Sequence, residues 1–348
     1  MKALKKRNSQ FPPLEYEDVV CENHGEVSCL PKLSELGEKR LIRYLVEHLD
    51  WPRDGLLPPG DDAAAFWFTG QLVASVDTLV WETDVPPRMT FRQVGWKAVT
   101  AAVSDLAAKG ARPKYILLSL SLKPSTEFSE FLELVNGAQE ASKKYGATIA
   151  GGDINESSSP SISVTALGSS EKLLSRVGAS PGDKLATTGL FGKTFAGLHA
   201  ALNSRPCERE LSEAVYSPVA RVEEGAALAQ CGGVSACIDS SDGLAESLHQ
   251  LSEVNDVGFI VDSLPLDSSA QRYCVDNNLD TVEAVFYGGE EYELVFTVKP
   301  GWRNVVEKAL ERLGKEVVWI GSVSEERGVY FQGKPVERRG WQHFSPVR

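Results

Sequence analysis

The sequence predicts an α/β (α+β) protein of two mixed domains, and three observations support this class. The chain of 348 residues is long enough for two domains of about 150 residues each. Strand-like and helix-like segments alternate in both halves, and the alternation restarts near the turn PGDK at residues 181–184. We therefore expect an N-terminal extension over residues 1–33, a sheet-plus-helix domain over residues 34–175 and an α/β domain over residues 176–348.

In the first predicted domain, the spacing of apolar residues predicts the helices and strands. Apolar residues three or four apart predict helices, and Val- and Leu-rich runs predict strands. Gly110 and Pro113 end the longest helix, and ATIAGGD reads as a strand that ends in a turn at Asp153. The predicted helices cover residues 34–50, 91–113 and 126–146, and the predicted strands cover residues 71–81, 115–122, 147–153 and 161–169.

The second predicted domain shows the same two periodicities. Its segments are separated by turns rich in Gly, Pro, Ser and Asp, which are the residues that favour turns. The predicted helices cover residues 192–203, 217–232 and 243–254; the predicted strands cover residues 184–189, 258–266, 293–298 and 317–323, with a strand and turn over residues 235–243.

Composition narrows the class of function. The formal net charge is −12, and no run of five basic residues occurs, so nucleic-acid binding is not expected. None of the six cysteines forms a C-x-x-C pair, and no apolar signal or 18-residue apolar stretch is visible. We expect a cytoplasmic protein with reduced cysteines and no membrane contact. An acidic protein that binds phosphorylated ligands needs a source of positive charge, and a divalent metal ion provides one.

Aspartates recur where an apolar strand or helix is predicted to run into a turn. Magnesium prefers oxygen ligands in near-octahedral geometry, and carboxylates on a rigid frame supply them. The alternative for each aspartate is a role in a turn or as a helix cap, and this is how we interpret Asp61 and Asp183. The recurring aspartates are Asp61, Asp62, Asp77, Asp105, Asp153, Asp239 and Asp242.

Two glycine-containing segments were tested against known phosphate-binding patterns. GKT at residues 192–194 follows a strand, but Thr187 stands where a P-loop has its first glycine, so a Walker A loop is excluded. The start of the following helix can still contact an anion. Gly288 and Gly289 precede Glu290, which allows either a hairpin turn or a carboxylate that contacts a ligand. The absence of G-x-S-x-G disfavours Ser/His/Asp hydrolysis.

Eight motifs follow one another between about residue 34 and residue 344. They are GDD (60–62), SVDT (75–78), GWKAVTAAVSDLAAKGA (95–111), GGD (151–153), PGDKLATTG (181–189), IDSSDGL (238–244), GGEEYEL (288–294) and GWQHF (340–344). In this order they resemble the motifs of the thiamine-monophosphate kinases, a family that belongs to the superfamily of aminoimidazole ribonucleotide synthetase-like ATP-dependent enzymes.

The resemblance implies ATP-dependent phosphorylation of thiamine phosphate to thiamine diphosphate, with several Mg²⁺ ions. It also implies two aminoimidazole ribonucleotide synthetase-like domains and a homodimer built through the N-terminal ones. It assigns metal ligands to Asp62, Ser75, the backbone of Val76, Asp77, Asp105, Asp153, Asp239 and Asp242. It assigns ATP contacts to Gly152, Asp153, Arg176 and Ser241, and substrate contacts to Glu290 and Trp341.

Two departures from the family pattern both lie on the substrate side. Asp84 stands in the segment WETDVPP where the family usually has a substrate-binding His, and Glu291 replaces the Asp of GGEDYEL. The chemistry itself needs no catalytic histidine, because a phosphate acceptor with a second pKa of about 6 is already largely ionised at neutral pH. Trp341 could stack on the cationic ring of the substrate, an interaction of about 1 kcal/mol.

Two other functions remain open at the level of sequence. One is another enzyme of the same superfamily, such as a synthetase acting on a ribonucleotide amide or a selenide; no cysteine lies in a Gly-rich N-terminal loop to support it. The other is a non-catalytic nucleotide-binding homologue. The full set of acids argues against that function, because buried charges without counterions are costly to retain.

Overall fold

The computed structural model of the protein describes residues 31–57, 59 and 63–340. Across these residues the chain forms 12 helices and 11 strands. Asp61, Asp62 and Trp341, three residues singled out in the sequence, lie outside the described residues. No helix within the described ranges is long and apolar enough to cross a membrane.

The first half of the chain contributes a four-stranded sheet and its covering helices. The sheet order is β1-β4-β2-β3, with β2 and β3 parallel and the other neighbours antiparallel. The elements are α1 (Leu33–Leu36), α2 (Glu38–His48), β1 (Gln71–Val80), α3 (Trp81–Asp84), α4 (Phe91–Ala108), β2 (Arg112–Leu122), α5 (Phe128–Lys144), β3 (Thr148–Glu156) and β4 (Ser161–Ser170).

The second half contributes a seven-stranded mixed sheet of order β11-β10-β7-β9-β5-β8-β6. The proposed domain boundary at residues 175/176 lies in the segment that connects the two sheets. The elements are β5 (Lys184–Thr187), α6 (Lys193–Leu202), α7 (Arg209–Tyr216), α8 (Val222–Cys231), β6 (Val234–Asp239), α9 (Leu244–Asn255), β7 (Gly258–Val261), α10 (Ser268–Asp276), α11 (Thr281–Tyr287), β8 (Leu294–Val298), α12 (Arg303–Glu311), β9 (Val318–Ser324), β10 (Gly328–Phe331) and β11 (Lys334–Pro335).

Helix α4 is the element that joins the two halves. Thr90 caps its N-terminus by accepting a hydrogen bond from the Gln93 N–H, and most of its side chains are buried. Leu106 of α4 belongs to the same buried apolar cluster as Ala229 of α8 and Phe296 of β8. Burial of a continuous apolar surface is the main favourable term in folding, so the two halves share one core along this helix.

Glycine allows α4 and α5 to approach each other closely. A Cβ atom on Gly95 would collide with the carbonyl oxygen of Leu134, and one on Gly137 would collide with the carbonyl oxygen of Arg92. Each helix therefore presents a glycine at the point where the backbone of the other passes. This contact fixes α4 against α5 and so fixes the acidic residues that α4 carries.

The structure confirms the predicted class and most elements, and it corrects several boundaries. The helix expected over residues 34–50 is divided at Gly37, which has a φ of 75°. The helix expected over residues 217–232 begins only at Val222, because Trp96 Nε1 donates to the Pro218 carbonyl and the Ala220 N–H donates to the Tyr145 hydroxyl. These contacts hold the preceding segment out of the helix. Helices α3, α7, α10, α11 and α12 and strands β10 and β11 were not predicted.

Candidate active site

Acidic side chains from both domains meet along α4. Ser75 on β1 donates a short hydrogen bond to Asp105 Oδ2 on α4. One residue earlier on the same helix, Ser104 Oγ donates to Asp239 Oδ2 at the end of β6, over 2.7 Å. Strand β1 and the end of β6 are therefore each hydrogen-bonded to α4, at the adjacent positions Asp105 and Ser104.

The sequence predicted that the aspartates lie where a strand or helix ends, and the structure corrects this prediction for three of them. Asp77 lies inside β1, Asp105 inside α4 and Asp153 inside β3, rather than where an element ends. Among the recurring aspartates that the structure describes, only Asp239 and Asp242 occupy the expected end of a strand and the following turn. Strand β3 does not stop at Asp153, because its pairing with β2 continues to Glu156. The Asp77 and Asp105 side chains still lie near each other, because β1 packs against α4.

Burial dominates the protonation of Asp239. Burial, followed by the charge on Asp105, raises the pKa of this carboxyl, whereas the Ser104 hydrogen bond and the charges on Arg176 and Lys109 lower it; the resulting pKa is about 6. Arg176 and Lys109 are therefore close enough to Asp239 to act on its charge. Arg176 itself donates to the Gln250 side chain over 3.0 Å.

The negative charges of nearby acids raise the pKa values of both Asp77 and the buried phenol of Tyr292. Burial raises the pKa of Asp77, and the charges on Asp105, Asp84 and Glu290 add to this effect. Burial also raises the pKa of Tyr292 well above its ordinary value, with contributions from four acids. Those acids are Glu290, Asp77, Asp239 and Asp242. Acids predicted for the metal side and for the substrate side, Asp153 not among them, thus act on the same two groups.

Gly152 and Asp153 stand on β3, at the edge of the first sheet. Asp153 is exposed and pairs across the sheet with Ser119 of β2. A Cβ on Gly152 would collide with the carbonyl oxygen of Leu118, so the neighbouring backbone permits only glycine there. In the described part of the chain, no hydrogen bond links Asp153 to Asp105 or Asp239.

The GGEEYEL segment approaches the cleft from the second domain. Glu290 adopts a left-handed backbone conformation with a φ of 63°, and its N–H donates to the carbonyl of Ser241 over 2.6 Å. A strained conformation of a non-glycine residue persists only where the surroundings fix it. Ser241 and Glu290, predicted to serve ATP and substrate, are therefore adjacent through their backbones.

Lys97 is a site residue that sequence reasoning missed. Its side chain is 2% exposed, and its Nζ lies 2.6 Å from Glu290 Oε1 and 2.8 Å from the carbonyl oxygen of Asp84. Asp84, expected to contact substrate, uses its Oδ2 to accept a hydrogen bond from the Val80 N–H. A lysine among the apolar residues on the buried face of a predicted helix signals such an ion pair, and that signal was available in GWKAVTAAV.

Glu291 is the group that contacts the start of the helix after GKT, where the sequence allowed an anion to bind. Its buried carboxylate accepts hydrogen bonds from the Gly192 N–H over 2.7 Å and the Thr194 N–H over 3.1 Å, at the N-terminus of α6. The anion at this helix end is therefore a side chain of the protein itself. Burial raises the pKa of Glu291, the Thr194 and Gly192 hydrogen bonds lower it and the charge on Glu293 raises it, so the resulting pKa is about 7.

Asp183 is a structural residue, as the sequence suggested. Its buried carboxylate accepts from the Ser180 N–H over 3.1 Å and from the Ser235 hydroxyl over 2.5 Å, so it closes the turn before β5. The structure thus separates this turn aspartate from the acids gathered along α4.

The donor set suits magnesium bound jointly with phosphates. Among the described residues, no three His, Cys, Asp or Glu side chains are grouped closely enough to hold a metal ion on their own. Mg²⁺ characteristically takes one or two carboxylates and completes its shell with water and substrate phosphates, which agrees with the paired acids seen here. The Ser240 hydroxyl, between Asp239 and Ser241, is buried without a hydrogen-bond partner in the part of the chain that the structure describes. These all-oxygen groups fit Mg²⁺.

Family models and relatives cover nearly the whole chain. The model for AIR synthase related protein, N-terminal domain, matches residues 60–170, and the C-terminal domain model matches residues 180–334. The thiamine-monophosphate kinase of Nitrosopumilus maritimus (strain SCM1) is 32% identical over 90% of this chain and 100% of its own length. That of Archaeoglobus fulgidus is 35% identical over 89% of this chain and 99% of its own length.

Solved structures show the same relationship. A structure described as AaThiL complexed with AMPPCP and TMP has a TM-score of 0.73 and 30% identity, and the match covers 91% of this chain and 100% of that one. A hydrogenase maturation protein HypE in complex with ATP has a TM-score of 0.72 but 20% identity, a likeness that shows the fold alone.

The two-domain fold with its acidic interdomain cleft is that of an AIR synthase related protein. Both family models support this class across the two halves of the chain. Within the class, the chain belongs to the thiamine-monophosphate kinase family. The fold class, the family and the enzyme class predicted from the sequence, an ATP-dependent kinase, are thereby confirmed.

Proposed function

We propose that the protein transfers the γ-phosphoryl group of ATP to thiamine phosphate and so forms thiamine diphosphate and ADP. The observation that carries the proposal is the convergence of acids from both domains along α4, in a chain whose relatives are thiamine-monophosphate kinases. The solved relative complexed with AMPPCP, an ATP analogue, and TMP supports the same pair of substrates. A phosphate oxygen of the acceptor would attack the γ-phosphorus, and the bond to the β–γ bridging oxygen would break.

Magnesium is the cofactor we propose for this site. When bound, Mg²⁺ neutralises charge on the phosphates and lowers the repulsion between two polyanions. The proposed ligands keep the set expected from the sequence, with the half-buried Asp105 and the buried Asp239, whose charges repel each other, as its centre. They are Asp62, Ser75, the backbone of Val76, Asp77, Asp105, Asp153, Asp239 and Asp242, of which Asp62 lies outside the described residues.

The residues proposed to bind the two substrates form two groups, a phosphate side that contacts ATP and an acceptor side that contacts thiamine phosphate. We assign ATP contacts to Gly152, Asp153, Arg176 and Ser241. Arg176 is the cation among them, and a guanidinium can bind phosphate oxygens through two parallel hydrogen bonds. We assign acceptor contacts to Asp84, Glu290 and Trp341, the last of which lies outside the described residues. A carboxylate such as Glu290 can accept hydrogen bonds from donors on the acceptor molecule.

The open face of the first sheet supports a homodimer. Ser75 points from β1 toward α4, so Leu72, Ala74 and Val76 point to the opposite face. Leu72 is 58% exposed and Val76 is 65% exposed, and their row pairs with β4 residues on the same face. Exposed apolar side chains grouped on one face of a sheet are typical of an interaction surface. We propose that a second copy covers it and that Leu72→Asp shifts the protein from dimer to monomer in light scattering, whereas Leu202→Asp does not.

A cytoplasmic location completes the proposal. The four cysteines in the described ranges, Cys207, Cys231, Cys237 and Cys274, are free thiols, as in proteins kept in a reducing compartment.

An acceptor panel tests the proposed activity. Release of ADP from ATP would be measured with thiamine phosphate, thiamine, a ribonucleotide and selenide, each with and without Mg²⁺. We expect turnover only with thiamine phosphate and Mg²⁺ together. Equal turnover with a ribonucleotide, or none with thiamine phosphate, would overturn the proposal.

A further inference from the structure

Lys97 is a buried cation whose two partners both belong to the proposed acceptor side. Its ammonium contacts Glu290 Oε1 over 2.6 Å and the carbonyl oxygen of Asp84 over 2.8 Å, with 2% of its side chain exposed. Removing a charge from water costs several kcal/mol unless partners compensate it, so a lysine in this position needs both contacts. Neither Asp84 nor Glu290 lies on α4 with Lys97, and the two come from different parts of the chain.

The two partners are segments that need an anchor. Asp84 ends the four-residue helix α3, and its carboxylate already holds the Val80 N–H over 2.7 Å. Glu290 stands at a φ of 63° in the loop before β8. The Lys97 ammonium therefore joins α3 of the first domain to the GGEEYEL loop of the second. Both segments are short, and neither is fixed by a regular hydrogen-bond ladder of its own.

The Lys97–Glu290 pair differs from a purely structural ion pair in the same protein. Arg221 binds Glu293 through two hydrogen bonds, and Glu293 is 3% exposed and also accepts from the Thr188 hydroxyl. That carboxylate is enclosed on all sides. Glu290 instead keeps 37% of its side chain exposed while Lys97 holds one of its oxygens. Its carboxylate is fixed but still accessible to a ligand.

Helix α4 also sets the distance between the two sides of the site. Lys97 and Asp105 are eight residues apart, which corresponds to about 12 Å along an α-helix. The residues between them are buried, and α4 is fixed against α5 by Gly95 and Gly137. One rigid helix thus carries the anchor of the acceptor side at one end and a proposed metal ligand near the other.

We infer that Lys97 is a positioning residue, which fixes the Glu290 carboxylate and the end of α3 so that Glu290 can receive a hydrogen-bond donor of the acceptor molecule. This role rests on the proposed function for the identity of the acceptor. It requires that Lys97 affect the acceptor and leave the binding of ATP, on the phosphate side, almost unchanged.

Steady-state kinetics of five variants, one of them the single variant Glu290→Gln, test this role. Lys97→Met is expected to raise the KM for thiamine phosphate by about tenfold or more while the KM for ATP stays within about twofold. Lys97→Arg keeps the charge and should recover part of the loss. Adding Glu290→Gln to Lys97→Met should cost less than the sum of the two single effects, because both act through one carboxylate. Arg221→Met is the matched control, expected to lower the thermal midpoint without changing either KM.

Three outcomes would overturn the role of Lys97. They are an equal rise of both KM values, additive effects of Lys97→Met and Glu290→Gln, and a loss of thermal stability alone, as in Arg221→Met. If Lys97→Met does not fold, Lys97→Arg supplies the same comparison of KM values.

The same experiment separates this role from the proposed function. If the wild-type protein uses another acceptor from the panel, the proposed function fails, while the KM for that acceptor still tests Lys97. Absence of turnover with every acceptor would overturn both.

Discussion

Ser104 Oγ lies 2.7 Å from Asp239 Oδ2, and this hydrogen bond ties α4 of the first domain to the end of β6 in the second. Both residues are buried, and Ser104 precedes Asp105 on the same helix. A buried carboxylate without its donor bears a desolvation cost that no water offsets. The serine of the SDLAAKG motif therefore stabilises the arrangement of the two domains as well as the acid beside it.

Replacing this serine should reduce stability more than replacing another buried serine. We expect Ser104→Ala to lower the free energy of unfolding by about 1–3 kcal/mol, because the Asp239 carboxylate loses its hydrogen-bond donor. Ser142→Ala is the control: Ser142 is equally buried but donates to the Ala138 carbonyl within α5, which is a main-chain helix acceptor. Urea unfolding measures both. Equal losses would show that the contact with Asp239 contributes nothing beyond burial.

The acids along α4 should be needed for turnover but not for folding. We expect Asp105→Asn and Asp242→Asn to lower turnover by about 100-fold or more with an unchanged far-UV circular dichroism spectrum, because each removes a proposed Mg²⁺ ligand. Asp183→Asn is the matched control, since Asp183 closes a turn. It should lower the thermal midpoint and leave the Mg²⁺ concentration for half-maximal rate unchanged. Wild-type rates in Asp105→Asn would show the metal assignment to be wrong.

Local patterns predicted the elements whose apolar period is uninterrupted. Helix α5 and strands β1, β2 and β4 were predicted within three residues of their observed ends, whereas α4 ends at Ala108, five residues before its predicted end at residue 113. The last three residues of β3 were not predicted, because GGDIN consists largely of residues that are rare in strands. The strand continues to Glu156 only because it pairs with β2. The break before α8 was missed because its cause lies far away in sequence, in Trp96 and Tyr145.

The acids of the site, together with Ser75 and Arg176, were singled out from the sequence, whereas Lys97 and Ser104 were not. Ser104 gains its meaning only when α4 and β6 are brought together, because it donates to Asp239. The link from Lys97 to Glu290 joins residues 193 positions apart, which no local pattern reveals. The anion expected at the start of α6 is Glu291, and its identity also required the fold.

The close approach of α4 and α5 should depend on Gly137. Alanine in a helix is normally favoured over glycine by about 1 kcal/mol. Here the added Cβ would collide with the Arg92 carbonyl, which belongs to backbone and cannot rotate away. We expect Gly137→Ala to lower the free energy of unfolding by about 1–3 kcal/mol despite its helix propensity. Asn136→Ala, at the exposed neighbouring position, should be neutral or slightly stabilising in the same denaturant titration. A stabilised Gly137→Ala would contradict this close packing.

Glu291 should make stability fall as the pH rises toward neutrality. Its pKa is about 7 in the native state against an ordinary value of 4.5, chiefly because burial disfavours the charged form. The native state therefore holds the proton more tightly than the unfolded chain, so the contribution of this group is full below pH 4.5 and is lost as the pH rises through 7. We expect the advantage of wild type over Glu291→Gln in unfolding free energy to shrink across this interval, by an amount on the order of 2–3 kcal/mol.

Glu246→Gln provides a control of opposite sign for the effect of Glu291. Burial raises the pKa of Glu246, but hydrogen bonds from Arg338 and Gln250 outweigh it, so the net pKa is lowered. Its contribution should be present above pH 4.5 and lost as the pH falls. Thermal or urea unfolding between pH 4 and pH 8 compares the three proteins. A difference between wild type and Glu291→Gln that stays constant with pH would show that Glu291 does not change protonation in this interval, and that its hydrogen bonds to Gly192 and Thr194 hold the carboxylate ionised throughout.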